Sequence, residues 1–268
     1  MKPFKLVSYY YNRHRPHANL GDAIQTVAMI RFLQTQKIPW QGFVNRAQLE
    51  PHMLINGFQN YTYEPLPYQA LFVGVHASNK QWQNIDKRLT VGCRDIWSKK
   101  QAELCNLQAV ITGCVTSSLA PITAQRRYIV YADSISKYTN SDMVKSIGQS
   151  ARNASWEHLM KWAIQRINFL AQAQLVYTTR LHVALPCIAM KIPVILEKPK
   201  RPTRLHPGIY KPERFTTLLN YIQYGKVVEP QSGVREQLLD LWLTGFKQVW
   251  EHNAEYLQTI QKESLCAK

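Results

Sequence analysis

The sequence predicts an α/β protein of two layered halves that face each other across a cleft, joined near residue 120. Short apolar runs typical of buried strands alternate with stretches in which apolar residues recur at helical spacing. The alternation occurs on both sides of residue 120, and residues 175–196 show strand, helix and strand in succession. The predicted domains are 1–120 and 121–268, with the last helix able to pack back on the first of them.

The first half is predicted to contain strands that end in small or polar residues, with helices between them. Apolar runs predict strands at 4–11, 54–57, 71–75, 90–93 and 109–113. Gly21 and Asp22 open a helix, and the Asp22 carboxylate complements the positive end of the helix dipole. Arg94 and Asp95 directly follow the fourth of these strands and precede a helix near 98–105.

The second half repeats the alternation with longer helices. We predict a strand at 128–131, a strongly amphipathic helix at 155–172 and a further helix at 214–222. The apolar face of the long helix comprises Trp156, Leu159, Trp162, Ala163, Ile167 and Leu170. The C-terminal helix carries a stripe of Trp, Phe and Leu, which favours core packing over a membrane anchor.

Arg180-Leu181-His182 lies where the predicted strand at 175–177 passes into a helix. Ligands of open α/β sheets bind at the carboxyl ends of strands, and a helix N-terminus already favours an anion. Arg180 and His182 at this edge predict a site for phosphate or carboxylate. The alternative is a surface ion pair with a helix cap, and spacing alone does not decide between the two.

Two other polar features belong to the second half. Asp133 follows the strand at 128–131, and we interpret it as a helix or turn cap rather than as an interdomain polar group. The segment 191–214 is basic and rich in proline, so it cannot be one regular helix. A rigid basic loop suits a small dianion, and the alternative is a solvated loop without a specific role.

The charge balance limits the classes of partner. The 268 residues hold 33 Lys and Arg against 17 Asp and Glu, which favours nucleic acid, anionic lipid or phosphorylated and carboxylated substrates. No apolar stretch approaches the roughly 18 to 20 residues of a membrane span, and we expect a cytoplasmic protein. The five cysteines lack zinc-site spacing, and His14 and His17 lack a third ligand, so no metal is predicted.

Segments spread in order along the chain resemble the motifs of the polysaccharide pyruvyl transferase family. They are Asn19-Leu20-Gly21-Asp22 with Ile24-Gln25, Leu54-Ile55-Asn56-Gly57, Gly92-Cys93-Arg94-Asp95 with Ser98, Thr112-Gly113-Cys114, and Arg180-Leu181-His182 followed by Pro186 and Pro193-Val194-Ile195. The last block is the most specific of them. The resemblance covers roughly residues 5–225, and the chain looks like a short, divergent member of the family.

The resemblance implies two Rossmann-like domains in the glycosyltransferase B arrangement. It also implies phosphoenolpyruvate as donor, a sugar diol as acceptor and a pyruvate ketal as product, with no metal or other cofactor. By motif, Arg180, His182 and Arg94 would lie at the donor site, joined by a lysine that is either Lys198 or Lys200. Acceptor recognition falls to the amino-terminal motif, at Asn19, Gly21 and Asp22.

The chemistry of this donor suits the residue types. Phosphoenolpyruvate carries a phosphate and a carboxylate, and two or more guanidinium or ammonium groups form the natural clamp for it. The reaction needs a group that protonates the methylene carbon and a group that accepts a hydroxyl proton. Histidine can do either near neutral pH, and we assign His182 as the acid–base group. Asp22 is expected to deprotonate or orient the acceptor hydroxyl.

Three alternatives remain open from the sequence. A glycosyltransferase that uses a nucleotide sugar would also place basic groups at a helix start. The net charge of +16 alone suits a nucleic-acid-binding protein, although no nucleic-acid motif is present. The same charge permits peripheral contact with the anionic inner face of a membrane, where lipid-linked saccharide acceptors are assembled.

Overall fold

The computed structural model describes residues 3–8, 17–45, 53–58, 70–134, 143–148, 150–152, 155–198, 216–256 and 258–259. It is an α/β protein with a parallel six-stranded sheet, a mixed five-stranded sheet and a two-stranded ribbon, which confirms the α/β class of the prediction. The chain divides into two compact units, one formed by Met1–Asn12, Ile30–Val115 and Asp240–Lys268, the other by Arg13–Met29 and Thr116–Leu239. The facing of two halves across a cleft stays a prediction.

The described elements are numbered in the order of the chain. The strands are β1 Phe4–Ser8, β2 His17–Asn19, β3 Trp40–Asn45, β4 Met53–Phe58, β5 Leu71–His76, β6 Thr90–Cys93, β7 Gln108–Ile111, β8 Tyr128–Ala132, β9 Val144–Ile147, β10 Ser150–Arg152, β11 Ala173–Thr178, β12 Val194–Leu196 and β13 Val227–Val228. The helices are α1 Leu20–Thr35, α2 Asn79–Trp82, α3 Ile96–Glu103, α4 Trp156–Leu170, α5 Leu181–Ala189, α6 Thr216–Leu219 and α7 Val234–His252, with a 3-10 turn at Val115–Ser118.

The first unit is built on a parallel sheet of strand order β3-β1-β4-β5-β6-β7. Every residue of β5 and β6 is buried, as expected of parallel strands covered on both faces. The second half of α7 packs in this unit, where Trp242 and Phe246 meet Phe32 edge-on at ring distances of 5.3 and 4.8 Å. Gly245 permits this packing, because a Cβ there would lie 2.6 Å from the carbonyl oxygen of Ile111.

The second unit contains the sheet β13-β12-β11-β8-β9, in which β11 pairs in parallel with β8 and β12. Helix α4 begins after Ser155, whose hydroxyl accepts the N–H of His158 at 3.3 Å. Its buried stripe comprises Leu159, Ala163, Ile167 and Leu170. The prediction that Trp162 belongs to this stripe is wrong: it lies at the edge of the stripe and is 39% exposed.

Some elements differ from the sequence-based predictions. The helix expected at 214–222 is described only as α6, Thr216–Leu219, after which the chain turns and the N–H of Gly225 binds the carbonyl of Leu196. Strand β3 was not predicted, because residues 41–43 are exposed and give no continuous apolar run. The two units also do not coincide with the ranges 1–120 and 121–268, since α1 and α7 each contribute to both.

Candidate functional site

The strand-to-helix junction at Arg180 is fixed by hydrogen bonds from the end of β11. The hydroxyl of Thr178 donates to the carbonyl of Ala132 at 2.8 Å and accepts the N–H of Arg180 at 3.0 Å. Thr179 donates its hydroxyl to the carbonyl of Asp133 at 2.7 Å. Arg180 has extended backbone and caps α5, so the next residues present the helix N-terminus at the carboxyl edge of the sheet.

His182 is held by the amino-terminal helix α1. Its Nδ1 lies 3.3 Å from the amide nitrogen of Gln25, which lies 3.2 Å from Oδ1 of Asp22. An amide nitrogen only donates, so Nδ1 of His182 accepts and the neutral imidazole carries its proton on Nε2. His182 and Asp22 are 5% and 8% exposed. The two predicted catalytic residues are therefore brought together through Gln25.

Arg180 points out of the fold more than its neighbour does. Its side chain is 46% exposed, and Nε donates to Oδ2 of Asp133 at 2.9 Å. Asp133 itself adopts a left-handed backbone with φ of 48°, which aspartate tolerates better than most residues. The ion pair leaves the two Nη groups of Arg180 without a partner among the described residues. Asp133 is thus more than the turn cap that the sequence favours.

The other predicted site residues divide by location. Lys198 is exposed two residues after β12, and the preceding Glu197 donates its N–H to the carbonyl of Thr178 at 2.8 Å. Gly21 is buried in the first turn of α1, and the backbone of Asn19 pairs with Ser150 in the ribbon. Lys200 and most of the basic segment 191–214 lie outside the described residues, as does His14.

Arg94 belongs to a second polar cluster, in the first unit. It follows β6 and is 2% exposed, with Nε 3.6 Å from Oδ2 of Asp95. The same carboxylate oxygen lies 2.6 Å from Nδ1 of His76, at the end of β5, and His76 stacks on Trp97 at 4.9 Å. Oδ1 of Asp95 accepts the N–H of Ser98 and caps α3. The Arg-Asp-x-x-Ser motif thus has a clear structural role.

The charge state of this cluster follows from its contacts. Burial acts to raise the pKa of the Asp95 carboxyl, but the hydrogen bond and charge of His76, the charge of Arg94 and the N–H of Ser98 outweigh it. The pKa of Asp95 is therefore lower than its ordinary value. A buried carboxylate between two cationic partners is a stable arrangement only when all three stay together.

The Thr112-Gly113-Cys114 turn also serves packing. The hydroxyl of Thr112 accepts the N–H of Gly74 at 2.8 Å, and Gly113 adopts a positive φ of 70°.

Two buried cysteines outside this turn are poor candidates for a nucleophile. Burial raises the pKa of the Cys93 and Cys187 thiols, which disfavours the thiolate that a nucleophile needs. Nothing in these contacts assigns the turn or these thiols to chemistry.

No three His, Cys, Asp or Glu side chains of the described ranges gather as metal ligands, and metal independence stays a prediction. Each helix in the described part of the chain is too short or too polar to cross a bilayer.

Sequence reasoning missed two residues of the second-unit site. Gln25 was noted only as part of the amino-terminal motif, and Asp133 was interpreted as a cap. Their contacts with His182 and Arg180 join positions 157 and 47 residues apart, which no local pattern reports. The available signal for Gln25 was a polar residue one helical turn after Asp22, beside the apolar residues Ala23 and Ile24.

A comparison with curated proteins gave no significant match. The crystal structure of a functionally uncharacterized protein from Klebsiella pneumoniae subsp. pneumoniae NTUH-K2044 is similar at 15% identity and a TM-score of 0.47, over 81% of this chain and 88% of that one. The family model described as polysaccharide pyruvyl transferase matches residues 73–196, which include Arg94, Arg180 and His182. Over that segment the match confirms the resemblance found in the sequence: residues 73–196 are similar to the polysaccharide pyruvyl transferases.

Proposed function

We propose that this protein transfers the enolpyruvyl-derived group of phosphoenolpyruvate to a saccharide diol and forms a pyruvate ketal, in the synthesis of a surface polysaccharide or glycan. The family match implies a transferase with a saccharide acceptor. The observation that carries the finer proposal is the pairing of a half-exposed Arg180 with a held His182 at one sheet edge, inside the matched segment.

Donor binding is the first step. The Nη groups of Arg180 supply a planar fork for a carboxylate or phosphate, and the first N–H groups of α5 favour the same charge. Exposed Lys198, two residues beyond β12, is the second cation of the clamp, with Lys200 as the alternative. Only the family resemblance assigns Arg94 to the donor; at 2% exposed and paired with Asp95, it is not part of the proposed clamp.

Ketal formation then needs two carbon–oxygen bonds and the loss of one. A sugar hydroxyl adds to C2 of phosphoenolpyruvate while C3 gains a proton and becomes a methyl group. The C2–O bond to phosphate breaks, the phosphate leaves with the bonding electron pair, and the neighbouring hydroxyl closes on C2. The two hydroxyl protons balance the proton gained at C3 and the proton that leaves with phosphate or solvent.

His182 is suited to supply the proton to C3. The contact with Gln25 places the proton of the neutral imidazole on Nε2, the nitrogen that faces away from α1. Asp22, on the other side of Gln25, is the proposed base or orienting group for the acceptor hydroxyl. One amide therefore holds the acid and the base in register, and Gln25 is a positioning residue.

The test is incubation with phosphoenolpyruvate and a panel of glycosides, followed by phosphate release and mass spectrometry of the sugar product. We expect phosphate release that depends on the glycoside and a mass gain equal to one pyruvyl ketal. His182→Ala should lower the rate about a hundred- to ten-thousandfold, the range for a general acid–base group, with the melting temperature nearly unchanged. Full turnover by His182→Ala would overturn the assignment.

Thermal-shift measurements distinguish pyruvyl transfer from the alternative functions. Phosphoenolpyruvate should raise the melting temperature of this protein, because a ligand that binds only the folded state stabilises it. A shift with nucleotide sugars and none with phosphoenolpyruvate would favour a glycosyltransferase. No contact among the described residues favours that enzyme, or a nucleic-acid-binding protein, over pyruvyl transfer.

A further inference from the structure

A cavity of about 300 Å³ lies within the second unit. Its lining combines aliphatic, aromatic and polar groups: Leu20, Ile147, Gly148, Trp162, Gln165, Arg166 and Phe169. The volume is at the lower end of the roughly 300–1,000 Å³ typical of small-molecule sites. Apolar walls with a few convergent polar groups are also the usual composition of such sites.

Trp162 is the unusual wall of this cavity. It is 39% exposed, whereas the buried stripe of α4 passes beside it at Leu159 and Ala163. Its one described ring contact is a tilted one with His158 at 6.2 Å, so an indole face remains open. An indole face is electron-rich and attracts the polarised C–H groups of a sugar ring or another aromatic ring.

Arg166 supplies the polar side. It donates from Nη1 to the carbonyl of Gly148 at 2.9 Å, and no other hydrogen bond of its guanidinium is found in the described part of the chain. Burial lowers the pKa of Arg166, and the charge of nearby Asp133 acts in the opposite direction. Because Asp133 offsets the one cation of the lining, the cavity suits a neutral polar ligand better than a dianion.

The cavity adjoins the cluster around His182. Asp133, which acts on Arg166, is the same carboxylate that holds Arg180 at 2.9 Å. Leu20 on its wall lies two residues before Asp22, which is linked to His182 through Gln25. The cavity therefore shares its surroundings with this cluster, although none of the residues that line it belongs to the anion site.

We propose that this cavity binds one sugar ring of the saccharide acceptor, with the ring face on Trp162 and its hydroxyls on Arg166, Gln165 and the carbonyl of Gly148. The inference rests on the proposed function only in calling that saccharide the acceptor. Hydroxyls both donate and accept, so the guanidinium, the amide and the carbonyl each find a partner on one ring.

The test measures saccharide binding in the absence of phosphoenolpyruvate. Lactose, maltose and chitobiose are titrated into the full chain and followed by calorimetry and ligand-observed NMR. We expect millimolar binding of at least one of them. Trp162→Ala should weaken it about tenfold and Trp162→Phe much less, because the aromatic face is kept. Arg166→Met should also weaken binding, through loss of its hydrogen bonds.

Ile164→Ala is the matched control. Ile164 lies on the same helix and is 41% exposed, close to the 39% of Trp162, but it is not part of the cavity wall. Ile164→Ala therefore truncates a similarly exposed side chain and should leave sugar binding unchanged. Equal binding by Trp162→Ala and wild type would overturn the proposal, as would no binding of any of the three sugars at 20 mM, a concentration of about twenty times a 1 mM Kd. Binding of uridine monophosphate but no sugar would also overturn it.

The two proposals fail in different ways. If pyruvyl transfer is absent while sugar binding still depends on Trp162, the cavity is a saccharide site and the proposed reaction is wrong. If His182→Ala abolishes transfer while Trp162→Ala leaves both sugar binding and the KM for the acceptor unchanged, the reaction stands and the cavity assignment is wrong.

Discussion

Each unit places an arginine, a histidine and an aspartate at the carboxyl ends of parallel strands, yet the two clusters differ in exposure. In the first unit the side chains of His76 and Asp95 are 0% exposed and that of Arg94 is 2% exposed. In the second unit the side chain of Arg180 is 46% exposed and its partner Asp133 25% exposed. The arginine and the aspartate therefore stand in two different solvent environments, whereas the histidine is buried in both units.

The difference indicates two roles. A carboxylate that is buried between a histidine and an arginine satisfies their charges and caps a helix, which makes the first cluster part of the scaffold. An arginine held on one side by a half-buried carboxylate keeps donors directed to solvent, which makes the second cluster able to accept an anion. A strand-end arginine alone does not distinguish the two roles, whereas its exposure and partner do.

The largest expected effect is on the stability of the first unit. Asp95→Ala should lower the free energy of unfolding by about 3–5 kcal/mol, because it leaves the buried Arg94 and His76 without their carboxylate. Asp133→Asn, which tolerates the left-handed backbone, should cost no more than about 1 kcal/mol, since the pair with Arg180 is partly exposed. Urea unfolding followed by fluorescence measures both. Equal losses for the two variants would break the comparison.

The next effect is on donor affinity. Arg180→Ala should raise the KM for phosphoenolpyruvate about ten- to a hundredfold, as expected for loss of a charge-assisted hydrogen bond worth about 1.5–3 kcal/mol. Arg180→Lys keeps the positive charge but loses the planar pair of donors. Its KM for phosphoenolpyruvate should therefore lie between those of wild type and Arg180→Ala. Arg94→Ala serves as the counterpart: a scaffold role predicts a lower melting temperature, and a donor role predicts a raised KM with stability kept.

A smaller effect concerns the pH dependence of turnover. Gln25→Glu replaces a donor to Nδ1 of His182 by a carboxylate that favours the imidazolium, which raises the pKa of His182. The limb of the pH–rate profile that reports His182 should move about one unit to higher pH. Gln25→Met is the control that removes the amide at similar size. Superimposable profiles of Gln25→Glu and wild type would show that Gln25 does not position His182.

The last prediction concerns how the stability of the protein changes with pH in acid. The pKa of Asp95 is lowered in the folded protein, so its contribution to stability is present above the ordinary value of 3.8 and is lost as the pH falls below it. Wild type should therefore lose stability steeply between about pH 4 and pH 2, and Asp95→Asn should show a shallower slope over that window. Parallel slopes would mean that Asp95 is not the group that titrates.

Much of this architecture could be predicted from local patterns. The segment from β11 through α5 to β12 is largely apolar. Arg180 and His182 stand where the spacing of apolar residues changes from that of a strand to that of a helix. The sequence therefore predicts both the junction and its place at the edge of the sheet. The same logic placed Arg94 after β6. These features are local, and the physics of strand and helix burial determines them within a few residues.

The remainder depends on contacts between distant positions. Two contacts of the site join elements that only the folded sheet brings together. They are the hydrogen bond between Gln25 and His182 and the ion pair between Arg180 and Asp133. Trp162 shows the limit of periodicity, since one turn of a helix places a residue at the edge of an apolar stripe as readily as inside it. The burial of Arg94 likewise follows from the layers packed over β6, not from its own neighbours in sequence.

Hydrogen exchange with and without phosphoenolpyruvate tests the central claim most directly, since it reports where the donor binds. With saturating donor, peptides that span 176–185 should exchange more slowly, because the anion occupies the N–H groups at the start of α5. Unchanged exchange in those peptides, under conditions in which phosphate is still released from phosphoenolpyruvate, would contradict the assignment of the donor to Arg180 and His182.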